Sequence, residues 1–114
     1  PLARLVAGGI EVVCLDGLAE AGPTLVVNAT PLGMAGAADM PEQMLRLAET
    51  AEAVFDMVYS PAETALLARA RAAGAKAIGG LSMLFGQAAP SFELFFGVRP
   101  PRGLDAELRE RLVR

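Results

Sequence analysis

The sequence predicts an α/β fold, a mostly parallel sheet with helices packed on its faces. Three observations predict it. Short apolar runs recur along the chain at 10–15, 24–29, 53–58 and 75–80. Segments with helical spacing, long enough to serve as crossovers, separate the later runs. The resulting order is strand, strand, helix, strand, helix, strand, helix. The chain has 114 residues and is 54% hydrophobic, so it suffices for one small domain with a packed core and is too apolar to be disordered.

The elements follow in order. Residues 2–7, "LARLVA", read as the end of a helix that Gly8-Gly9 terminates. "IEVVCL", 10–15, is a short strand, and "DGLAEAG" is a brief helix or turn. "TLVVNA", 24–29, is a continuous apolar run, as expected of a strand covered on both faces. "PEQMLRLAET", 41–50, is helical, with Met44, Leu45 and Ala48 at helical spacing. "AVFDMV", 53–58, is the next strand. A helix over about 61–73 follows, with Ser60 as cap, Pro61 in the first turn, Glu63 completing an S-x-x-E box and Gly74 ending it.

"AKAIGG", 75–80, is a strand running into two glycines. "LSMLFGQAAPSFELFFG", 81–97, is a helix with a kink expected at Pro90, whose nitrogen cannot donate to the Gly86 carbonyl. Its Leu84, Ala88, Phe92 and Phe95 form an apolar face expected in the core. "LDAELRERLVR", 104–114, is a final amphipathic helix with Leu104, Leu108 and Leu112 along one side.

Composition removes several kinds of chemistry. The chain has no histidine, which excludes Ser-His and Cys-His catalysis and any histidine metal site. Its one cysteine, Cys14, allows no internal disulfide and is most simply a small buried hydrophobe. The net charge of −3 and the scattered basic residues argue against nucleic acid as a partner. The most apolar segment, 79–98, is interrupted by Ser82, Gln87, Pro90, Ser91 and Glu93, which makes it a poor membrane span. No stretch reads as a signal peptide, so a cytoplasmic protein is the default expectation. Neither a metal nor a membrane partner is expected.

Right-handed crossovers place three strand ends on one rim, where open α/β sheets bind ligands. The first is Asn28 to Gly33, with the Thr30 hydroxyl and with Pro31 keeping residue 30 extended. Alone it is an ordinary strand-stopping turn. The second is Asp56-Met57-Val58-Tyr59-Ser60-Pro61. Asp56 is either a general base or a scaffold for nearby amides, and the absence of a proton-transfer partner favours the scaffold. Tyr59 is either a buried ring or a hydroxyl at a site mouth. The third is Gly79 to Gln87, where two glycines admit a flat ligand and Met83 and Gln87 share a helix face. Gln87 is either a core amide bonded to backbone or an amide directed into a pocket. Together the three ends point to a nucleotide- or cofactor-binding half-domain, with a small polar substrate near Gln87.

"VVNATPLGM", "FDMVYSPAETALLARARAAG" and "GGLSMLFGQAAPSFELFFGV", in this order and spacing, resemble the C-terminal part of shikimate dehydrogenases over about residues 24–98. The resemblance implies a partial Rossmann-like sheet, with 1–98 the second half of an NADP-binding domain and 99–114 a C-terminal tail and helix. It implies NADP as cofactor and reduction of 3-dehydroshikimate to shikimate, in aromatic amino-acid biosynthesis. By the same resemblance Ala29, Thr30 and Pro31 lie along the cofactor, Met57 packs on its nicotinamide, the Gly80 backbone bonds the carboxamide and Met83 lines the same pocket. Gln87 and Tyr59 match substrate-binding positions.

The family's catalytic lysine and aspartate belong to an N-terminal substrate domain, as do its Gly-rich phosphate loop and the motif that grips the 2′-phosphate. Lys76 does not match that lysine, so no catalytic residue is assigned in this chain and the chain alone is expected to be inactive. The last helix is expected to pack toward the N-terminal domain, leaving apolar surface open without it. The intact protein is expected to be a monomer or homodimer. Ser82, where many relatives have glycine, leaves room for a quinate-using paralogue. A non-catalytic nucleotide-binding piece is the alternative from another class.

Overall fold

The computed structural model describes residues 22–113. Among them are three strands, β1 (Leu25–Asn28), β2 (Ala53–Asp56) and β3 (Lys76–Gly79). Helices α1 (Glu42–Thr50) and α2 (Ala65–Ala72) connect them in turn. Helices α3 (Gly80–Phe96) and α4 (Asp105–Val113) follow. The strands form one parallel sheet in the order β1-β2-β3. The helix end and strand expected at 2–15, and Cys14 with them, lie outside the described residues.

The strands are apolar because a parallel sheet must be roofed by its crossover helices. The roof here covers one face. Val26 and Val54 turn toward α1 and α2 and are buried, with Ala77 packed against the same core. Leu66 and Leu67 of α2 are fully buried there, each contributing roughly 1.5–3 kcal/mol of apolar transfer free energy. Leu45 and Ala48 of α1 complete the cluster. The opposite face, with Leu25, Val27 and Ile78, is open among the described residues. Among the described residues the strand in the 24–29 run thus has one covered face.

Helix α1 follows Pro41, whose carbonyl accepts from Met44 N and Leu45 N. Arg69 of α2 forms ion pairs with Glu42 and Glu49 of α1, and both partners raise its pKa. The start of α2 differs from the expected Ser60 box. The helix begins four residues later than Pro61, and its cap is Thr64, whose Oγ1 accepts from Leu67 N at 3.3 Å. Glu63 closes no box with Ser60; it pairs with Arg71. The Ser60–Pro61 peptide is cis. Gly74, at φ 86°, ends the α2 turn as expected.

Helix α3 runs unbroken in its assignment through Pro90, and Gly97 closes it in the left-handed conformation at φ 69°. Its expected core face is not core. Phe92 and Phe95 are exposed, Phe95 by 78%, and Ala88 is exposed with them. Only Gly80 and Leu81, in its first turn, are buried. Helical spacing identified the apolar stripe correctly, but the 104–108 segment only flanks part of it across a cavity and leaves it open. Leu104, Leu108 and Leu112 are likewise exposed. Arg109 of α4 stacks over the Phe85 ring, 4.6 Å from its centroid, and ties α4 to α3.

Candidate functional site

The sheet register builds the rim. Asn28, Asp56 and Gly79 are consecutive partners across β1, β2 and β3, so the three strands end in one row. All three strand-end segments therefore leave the sheet side by side.

A buried hydrogen-bond network welds the first two. Asp56 is fully buried. Its Oδ1 accepts from Asn28 Nδ2 at 2.9 Å and from Val58 N at 3.0 Å, and its Oδ2 accepts from Thr64 Oγ1 at 2.6 Å. Three donors, one of them the cap of α2, thus converge on one carboxylate. Asn28 passes the network to the loop: its Oδ1 accepts from Thr30 N at 3.0 Å and from Thr30 Oγ1 at 2.7 Å. Backbone bonds add Met57 N to Asn28 O at 3.0 Å and Ala35 N to Ser60 O at 2.9 Å. Of the two roles open to Asp56, the geometry is that of the scaffold.

The third segment is held by contact. Gly80 N donates to Val58 O at 3.2 Å. A Cβ on Gly80 would stand 2.2 Å from Met57 O and 2.7 Å from Val58 O, so only glycine permits this approach. The second of the two glycines is a packing requirement, which brings the start of α3 against the Met57 loop.

On this frame Ala29, Thr30 and Pro31 are exposed at the rim, Met57 and Met83 are half-buried, and Gly80 is buried. Tyr59 is 49% exposed, so of its two readings the buried ring is excluded. Gln87 is exposed on α3, which excludes the core amide. The apolar cavity along α3, about 290 Å³, lies on another side of the helix, between Phe85, Ala88 and Phe92 and the Leu104 and Leu108 side chains. The structure thus joins the Thr30 loop, Met57 and Gly80, and leaves Gln87 and Tyr59 open at the surface.

Two residues central to the site carried no functional weight in the sequence. Asn28 looked like a strand stop, and Thr64 was hidden behind the Ser60–Glu63 pattern. The signal for Thr64 was present: a threonine directly before "ALLARA", the place of a cap.

A family model described as the shikimate 5'-dehydrogenase C-terminal domain matches residues 80–107, from the first residue of α3 into α4. The shikimate dehydrogenase (NADP(+)) of Sphingopyxis alaskensis is 50% identical over 104 residues, covering 90% of this chain and 37% of that protein. The chain belongs to the shikimate dehydrogenase family. The shikimate dehydrogenase (NADP(+)) of Methanocella arvoryzae is 48% identical over 96 residues, or 82% of this chain and 35% of its own length. Among solved structures, the shikimate 5-dehydrogenase of Thermus thermophilus in complex with NADP(H) and shikimate superposes with a TM-score of 0.70 at 33% identity. That match covers 97% of this chain and 41% of the other. This shikimate dehydrogenase segment spans little more than a third of the length of the curated relatives it matches.

Among the described residues no helix is long and apolar enough to cross a membrane, and no cluster of His, Cys, Asp and Glu could hold a metal ion.

Proposed function

We propose that this chain supplies the nicotinamide side of the NADP site in a shikimate dehydrogenase, whose whole reaction is the reduction of 3-dehydroshikimate to shikimate. The observation that carries the reading is the single row of strand ends, Asn28, Asp56 and Gly79, which sets the Thr30 loop beside Met57 and Gly80. Residues 1–98 are then the second half of the NADP-binding domain and 99–114 its C-terminal tail and helix.

The residues present suit the neutral end of the cofactor. Within 28–36, 56–61 and 79–87 the sole charged residue is Asp56, and it is buried with three donors on its carboxylate. Such a rim has no cation for phosphates but suits a flat, uncharged, amide-bearing ring. Met57 and Met83 offer polarisable apolar contact. Gly80 has its N–H committed to Val58, so a carboxamide would meet its carbonyl, which has two lone pairs. The phosphates require charged groups from other segments.

When bound, the cofactor supplies the hydride chemistry. This chain's residues orient and exclude water: Thr30 with Ala29 and Pro31 forms one wall, Met57 and Met83 the apolar contact, and Gly80 the backbone contact. Gln87 and Tyr59, both exposed, supply an amide and a hydroxyl to grip a polyhydroxylated acid by hydrogen bonds. Proton transfer falls to groups outside this chain.

The test is NADP-dependent oxidation of shikimate by the full-length protein, followed by NADPH absorbance, with quinate in parallel. Shikimate-dependent NADPH formation is the expected result. Turnover with quinate alone moves the reading to the quinate-using relative. No turnover with either, in a folded protein, rejects the enzyme and leaves a nucleotide-binding module.

A further inference from the structure

The hydroxyl of Thr30 has a polarity set by its neighbours. Asn28 Nδ2 faces two acceptors, the Leu32 carbonyl at 3.2 Å and Asp56 Oδ1 at 2.9 Å. Asn28 Oδ1 faces the Thr30 amide N–H at 3.0 Å. A backbone carbonyl only accepts and a backbone N–H only donates, so Leu32 and Thr30 together decide which end of the Asn28 amide is which. The carboxylate of Asp56, acceptor-only when ionised, enforces the same choice.

The rest follows by elimination. Thr30 Oγ1 lies 2.7 Å from Asn28 Oδ1, an oxygen that cannot donate, so the hydroxyl proton points at Asn28. The Leu32 N–H donates to the same Oγ1 at 3.2 Å and occupies one lone pair. A hydroxyl has one proton and two lone pairs. One lone pair is left for the exposed side, and no proton.

We propose that Thr30 determines specificity at the rim as a hydrogen-bond acceptor only. It contacts a ligand atom that carries a proton, the amide N–H or a sugar hydroxyl of a nicotinamide nucleotide, and it disfavours a phosphate or carbonyl oxygen at the same point. Asn28 and Asp56 are positioning residues that act through Thr30. The identity of the ligand rests on the function proposed above; the polarity of the hydroxyl does not.

The test uses isotopically labelled full-length protein. In the ligand-free spectrum the Thr30 hydroxyl proton is expected to exchange slowly and to give a deuterium isotope shift on the Asn28 side-chain carbonyl carbon. Adding NADP+ should leave that proton where it is. By calorimetry, Thr30→Val is expected to weaken NADP+ binding about fivefold, the size of one net hydrogen bond, while Thr30→Ser stays close to wild type. The 3-acetylpyridine analogue, which lacks the amide N–H, then identifies the donor. If it abolishes the difference between Thr30 and Val, the amide is the donor; if the difference persists, a sugar hydroxyl is. Both outcomes support the proposal. It is overturned if the hydroxyl proton turns to the ligand on binding, or if Thr30→Val binds NADP+ as tightly as wild type. Wild-type protein that binds no NADP+ overturns the nicotinamide reading and the ligand named here, whereas the polarity stands or falls on the ligand-free spectrum.

Discussion

Asn28 and Asp56 are register partners on neighbouring parallel strands, and their side chains are bonded to each other at 2.9 Å. Both turn to the helix-covered face and both are buried, Asn28 at 3% exposure. A buried polar pair is tolerated when its polar atoms find partners, and no unpartnered buried side-chain polar atom occurs among the described residues. The pair fixes how the chain leaves two strands at once.

Asp56→Ala is therefore expected to be severe. It leaves Asn28 Nδ2, Val58 N–H and Thr64 Oγ–H without their acceptor, a loss of about 3 kcal/mol or more. Asp56→Asn should lose less, about 1–2 kcal/mol, because one carboxylate oxygen survives while the new N–H₂ opposes a donor. Urea midpoints of the two variants test the order. Wild-type stability in Asp56→Ala would show that the carboxylate is not the hub.

Gly80→Ala should disrupt the rim directly. The added Cβ meets backbone, Met57 O at 2.2 Å, which cannot swing aside as a side chain can. Overpacking of this kind costs about 1–3 kcal/mol, and relief by moving α3 away from the Met57 loop should also weaken NADP binding. Thermal unfolding together with NADP+ titration checks both; an unchanged melting temperature with unchanged affinity would refute the contact.

Thr64 has two duties, cap of α2 and donor to Asp56. Thr64→Ala should lose about 2 kcal/mol, at the upper end for a helix cap because the buried carboxylate loses a donor too. Thr64→Ser should restore most of it, since the hydroxyl is what both bonds need. Denaturant unfolding of the pair is the measurement, and equal losses would assign the effect to the lost methyl instead.

Gln87→Ala should raise the shikimate KM or Kd of the full-length protein about fivefold or more and leave NADP+ affinity nearly unchanged. Equal losses for both ligands in calorimetry would remove Gln87 from the substrate side.

Much of this was legible in the chain because it is local. "LVVN", "AVFD" and "KAIG" are short apolar runs followed by turn residues, and each is a strand in the parallel order the intervening helices require. Gly74 sits where a helix needs a left-handed residue, and that end was readable for that reason. What escaped was non-local. The Ser60–Glu63 spacing satisfied a capping pattern, but Thr64 wins because its hydroxyl also reaches Asp56, a partner that chain order does not reveal. Periodicity marked Phe92 and Phe95 as core, but Phe95 is exposed and Phe92 meets only the loose flank of the 104–108 segment across a cavity. At the rim, the three strand-end segments were readable, but the Asn28–Asp56 bond that joins two of them depends on sheet register.

The close seat of Gly80 makes α3 a lever with its fulcrum at the rim. Seventeen residues span roughly 25 Å, and Gln87 stands seven residues, roughly 10 Å, from the anchored end. A tilt of about 5° at the fulcrum moves the Gln87 backbone by only about 1 Å, yet moves the far tip at Phe96 by about 2 Å, by the arithmetic of those lengths. Misplacements near 1 Å are enough to matter for a reacting geometry. On the proposed function, alignment between cofactor and substrate is governed at a single joint, and any body leaning on the exposed Phe92–Phe96 end has more than twice the leverage that Gln87 has.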